Sequence, residues 1–104
     1  MAFSDKPYFK IPRAILRKGH LNVETIVGHK TLTSRDSYIQ VLDGGGLDRH
    51  VILPLELDGI SYQIKNNGTT NNLLVKNAAG SLVATVATST SVIVASDATQ
   101  WVEL

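Results

Sequence analysis

The chain has 104 residues, 43% of them hydrophobic and 18% charged, with a formal net charge of +1 and no cysteine. That length fits one domain with a thin core, and the missing thiols exclude disulfides and thiolate metal sites. Met1 to Lys6 lack a basic start followed by an apolar run, so no signal peptide is expected, and no apolar run approaches the length of a membrane-spanning helix.

Charge is unevenly spread. Residues 1–35 carry Lys6, Lys10, Arg13, Arg17, Lys18, Lys30 and Arg35 against Asp5 and Glu24, a balance of +5. Residues 36–104 carry three basic residues against seven acidic ones, a balance of −4. This asymmetry points to a basic attachment region on a mildly acidic body.

In chain order, residues 1–13 read as an extended arm. Phe3, Tyr8, Phe9 and Ile11 are apolar, while Pro7 and Pro12 break any helix or central strand. Three states suit such a segment: packed on the chain's own body, docked on a neighbouring subunit or other protein, or disordered. Residues 14–104 read as a single β-domain. Ala14 to Lys18 is too short to assign. From His20 to Val27, Leu21, Val23, Thr25 and Val27 alternate with Asn22, Glu24 and Ile26, the period of a half-buried strand. Gly28-His29-Lys30 reads as a turn, and Tyr38 to Leu42 as the next strand.

Asp43-Gly44-Gly45-Gly46 is a turn where positive φ is cheap, as are Asp58-Gly59 and Asn67-Gly68. His50 to Leu53 is a short strand closed by Pro54. Ile60, Tyr62 and Ile64 alternate cleanly with Ser61, Gln63 and Lys65. Strands over Leu73–Lys76, Leu82–Ala87, Ser91–Ala95 and Trp101–Leu104 follow. Eight or nine short strands without a helix predict an all-β fold: a compact antiparallel β-sandwich or a jelly-roll-like barrel with an extended N-terminal arm.

No catalytic constellation stands out. His20, His29 and His50 are scattered, and a His-based metal site needs a repeating ligand spacing that they lack. Gly44-Gly45-Gly46 is followed by the strand-like Val51-Ile52-Leu53, not by the helix a phosphate loop requires. Asp43, Asp48 and Asp58 supply oxygen ligands, yet their spacing is not that of a calcium loop. The basic residues of the first third form no tight cluster with a stacking platform, which disfavours nucleic acid. Trp101 reads as a core anchor for the last strand, with sugar stacking as the alternative. Expected cofactors are none, and a non-enzyme is expected.

Three segments together carry a resemblance: Asp43-Gly-Gly-Gly-Leu-Asp-Arg49-His-Val-Ile-Leu-Pro54, then Gly59-Ile-Ser-Tyr-Gln-Ile-Lys-Asn66, then Ser96-Asp97-Ala-Thr-Gln-Trp101. They resemble a β-rich module of tailed-bacteriophage structural proteins, with a Gly-rich turn, "DR-x-V-x-LP", "x-I-K-N" and a closing "SDG-x-x-W". Residues 32–104 are covered, and Ala98 departs from the pattern where the module often has Gly. The resemblance implies a viral structural protein, found in head decoration (cement) proteins and in fibres. The short chain with its basic apolar arm looks more like the former. Such a protein is made in the host cytoplasm and sits on the virion's capsid surface, where it clamps neighbouring subunits of the major capsid protein, as a homotrimer. On that reading Phe3, Lys6, Tyr8, Phe9, Lys10, Ile11, Arg13, Arg17 and Lys18 contact the shell or the adjacent copy. Gly44, Gly45, Gly46, Gly59 and Gly68 are structural turns. The alternative is a tail-fibre tip that binds a receptor or carbohydrate.

Overall fold

The structure, a computed structural model, describes residues 21–56 and 59–104. The expected arm and the stretch Ala14 to Lys18 lie outside the described residues, as do His20 and Asp58. Within the described residues there are nine strands and no helix. They are β1 Leu21–Thr25, β2 Lys30–Thr31, β3 Ile39–Asp43, β4 Arg49–Ile52, β5 Ser61–Asn66, β6 Leu73–Lys76, β7 Leu82–Val86, β8 Ser91–Ser96 and β9 Trp101–Glu103.

The strands form two sheets, one in the order β9-β8-β5-β3-β1 and the other in the order β2-β4-β6-β7. An all-β domain of eight or nine short strands, a sandwich or a jelly-roll-like barrel, was expected, and an all-β domain of nine short strands in two sheets is the architecture. The sheets are mixed, however, where purely antiparallel ones were expected. From β1 to β6 the chain alternates between the two layers, and each strand lies parallel to the one two before it: β1 with β3, β3 with β5, β2 with β4, and β4 with β6. Three coils are thus stacked. Parallel neighbours need a crossover between them, and here the intervening strand in the opposite sheet supplies it. Only β7, β8 and β9 turn back antiparallel, closing the stack.

The coils differ in length. Ile39 lies 18 residues after its partner Leu21, and Gln63 lies 24 after its partner Ile39. The five-residue corner 44–48 carries the chain from β3 in one sheet to β4 in the other. Gly45 and Gly46 have φ of 70° and 88° there. Gly44 and Gly68 do not have positive φ; what they supply is space. A Cβ on Gly44 would lie 2.6 Å from the Leu47 carbonyl oxygen, and one on Gly68 would lie 3.1 Å from Asn66 Oδ1.

Inward positions fill the space between the layers. Leu42, Val51, Leu53, Tyr62, Ile64, Val75, Val86 and Val94 are fully buried in one cluster. Each such side chain contributes about 1.5–3 kcal/mol by leaving water. The reading of β5 holds residue by residue, with Ile60, Tyr62 and Ile64 inside. The reading of β1 is inverted. Leu21, Val23 and Val27 are 56%, 61% and 91% exposed, whereas Ile26 is buried.

Candidate functional site

The first coil shows why β1 turns its aliphatic side outward. Its inward positions, Asn22 and Glu24, stand opposite Gln40 and Leu42 of β3. Asn22 Nδ2 donates to Gln40 Oε1 at 2.8 Å and to Glu24 Oε1 at 2.9 Å, and Lys30 Nζ of β2 lies 2.7 Å from Glu24 Oε1. Gln40, itself 1% exposed, donates from Nε2 to the Ser37 carbonyl. The inward side of β1 is therefore a partly exposed polar layer at the edge of the sheet, beside the apolar core that Ile26 and Leu32 join. The Lys30 hydrogen bond, and then that from Asn22, hold the Glu24 carboxyl below its usual range. A groove of about 320 Å³ opens beside this layer, lined by Leu21, Asn22, Glu24, Lys30, Asp36 and Ser37.

With the polar residues turned in, the aliphatic ones are displayed. On the outer face of the five-stranded sheet, Leu21 aligns with Ile39, Gln63 and Ile93, and Val23 aligns with Val41, Lys65 and Ser91. The outward side of β5 is thus a polar strip between two apolar strand pairs. Val102 and Ala95 extend the face toward β9. At the adjoining corner Val27 and Leu47 are exposed, and Leu55 is 71% exposed between β4 and β5.

The other residues singled out in the sequence serve the scaffold. Trp101 lies in the core cluster, where its indole Nε1 donates to the Pro54 carbonyl at 3.0 Å and its ring meets Tyr62 at 5.9 Å between centroids. With 7% exposure, it presents no open face for a sugar to stack on. Tyr62, also buried, donates its hydroxyl to the Thr33 carbonyl. Asp43 Oδ1 accepts from Gly45 N at 2.8 Å, and Asp48 Oδ1 accepts from Asn72 N at 2.7 Å. Among the described residues no three of His, Cys, Asp or Glu gather as a metal set. The sequence-predicted contact residues Phe3 to Lys18 all lie outside the described residues.

One pairing escaped the sequence reading. His29 and His50, 21 residues apart, stack with ring centroids 4.2 Å apart, and His50 N donates to His29 Nδ1 at 2.9 Å. Parallel pairing of β2 with β4 makes them neighbours, and that pairing was not visible in the sequence. Loss of solvation, then the Lys76 ammonium and His29, hold His50 below the ordinary imidazole range.

No family model matches the chain, and neither does any curated protein or solved structure.

Proposed function

We propose that this chain is a non-enzymatic decoration (cement) protein of a tailed-bacteriophage head. It binds the outer shell, as a homotrimer, and clamps neighbouring copies of the major capsid protein. One observation carries the reading: β1 turns Asn22 and Glu24 inward and displays Leu21 and Val23, with Val27, Leu47 and Leu55 exposed at the corners nearby. A surface of that kind is suited to docking, since contiguous exposed apolar patches mark interaction sites. The Gly-rich corner and the Trp101 closure add the resemblance to phage structural modules. Clamping needs no chemistry. Each copy engages more than one shell subunit, so a modest contact is multiplied, and a ligand that binds only the assembled shell stabilises it by mass action.

A chain lacking residues 2–12 tests the part assigned to the basic arm. The expected product folds, with an unchanged β-sheet circular dichroism spectrum, and no longer binds heads. Undiminished head binding would remove the arm from the proposal.

The stacked parallel coils favour a second reading, a fibre-tip module, because coils of this kind lengthen by repetition. That reading expects binding to host-surface glycans. Buried Trp101 offers it no stacking face, so Tyr38→Ala is the variant that would weaken such binding.

A further inference from the structure

We infer that the outer face of the five-stranded sheet is the surface through which copies of this chain meet, its occupant being a second copy of the same face. Such a contact is isologous and joins two copies face to face, so it goes beyond the decoration reading and is separate from the threefold contact of the trimer; its test uses the protein alone, without shells.

Three observations carry it. The face is aliphatic on both flanks, Leu21, Val23, Ile39 and Val41 on one side and Ile93 and Val102 on the other, and Leu21 and Val23 are more than half exposed. Flat β-faces of this type pack on one another about 10 Å apart. Its charges are one of each sign: Lys65 on β5, and Asp43 at the end of β3. A copy is therefore not repelled, unlike a partner surface of strong single charge. Its area also fits. Five strands about 4.8 Å apart, each about five residues long, span roughly 400 Å² per copy. That is below the roughly 800 Å² per partner of a stable standard interface. Such a contact is weak in dilute solution and fills when copies are held side by side, as on a shell.

Sedimentation equilibrium on the full chain, up to about 1 mM protein, reads it directly. Reversible self-association is expected at the upper end of that range. The double variant Val23→Lys/Ile93→Lys, altered only at outward positions, is expected to weaken association at least about tenfold while keeping the wild-type melting temperature within a few degrees. Because the chain contains no cysteine, Val23→Cys gives a second readout: its thiol is alkylated freely in dilute protein and more slowly in concentrated protein. A wild-type monomer throughout, association untouched by the double variant, or a thiol protected even in dilute protein would each overturn the inference. The last outcome would assign the face to the chain's own residues. If association fails while heads are still bound, the self-contact falls and the decoration reading stands.

Discussion

Asn66 ties the third coil to the antiparallel closing strands. It is 1% exposed; its Nδ2 donates to the Val86 carbonyl at 2.9 Å and to the Asn71 carbonyl at 3.0 Å, and its Oδ1 accepts from Gly68 N at 2.9 Å. Removing the amide strands three backbone groups at a buried corner, each costing about 1–3 kcal/mol when left unpaired. Asn66→Ala is therefore expected to lose about 2–4 kcal/mol in urea unfolding. Ala98 is the converse case. It sits at φ 77°, in the turn held by the Asp97 carboxylate, which accepts from Thr99 N and Gln100 N. A Cβ in that left-handed region costs about 1–2 kcal/mol, and glycine's extra freedom in the unfolded chain returns about 0.4–1 of it. Ala98→Gly is expected to raise stability by about 0.5–1 kcal/mol, measured in the same assay.

At the scale of the strand, the sequence was legible wherever neighbours on both sides bury the same face. In β5, Tyr62 and Ile64 fall inside as their alternation says, because β3 and β8 flank it and the opposite sheet covers it. In β1 the alternation is just as clean, yet the faces are swapped. The polar ladder from Asn22 to Gln40 and the partly exposed pair Glu24–Lys30 line the inward side of β1, and alternation alone cannot say which of two faces is inside. The parallel pairing was illegible for a related reason. Corners such as 44–48 have the length and the glycines of hairpin loops, and only tertiary packing decides whether the next strand returns beside the last or crosses to the other sheet. Unequal coil lengths removed the repeat that would have revealed a stack. The two-residue strand β2, taken for part of a turn, depends on β4 for its existence. The swap makes a quantitative prediction. Ile64→Ala is expected to cost about 2–5 kcal/mol, while Val23→Thr, a change on the outward face, stays within about 0.5 kcal/mol of wild type. Chemical denaturation of dilute protein compares them, and a large loss at Val23 would contradict the outward assignment.

For the whole molecule, three groups among the described residues shape the response to acid: His50, Glu24 and Asp97. Folding holds His50 below its ordinary value of 6.5, so the unfolded chain takes up a proton that the folded chain takes only at lower pH. That contribution is complete above pH 6.5 and is lost as pH falls through the interval beneath it. Glu24, held below its ordinary 4.5, and Asp97, held below its ordinary 3.8 by the Thr99 hydroxyl and then the Thr99 and Gln100 amides, contribute stability that is present above those values and is lost as the carboxylates protonate. The melting temperature is therefore expected to decline in two stages on acidification, and His50→Gln is expected to remove the upper one. Neither stage bears on the proposed shell binding at neutral pH, where the frame is intact and its apolar surface is displayed. There the proposed role has a thermodynamic signature, since a ligand at a hundred times its dissociation constant stabilises what it binds by about 2.7 kcal/mol per site. The most direct test is to mix the purified chain with mature phage heads stripped of it, then follow co-sedimentation and the temperature at which the heads release DNA. Saturable binding that raises the release temperature is the predicted result. Heads that bind none of the chain, or bind it with no change in release temperature, would contradict a clamping role.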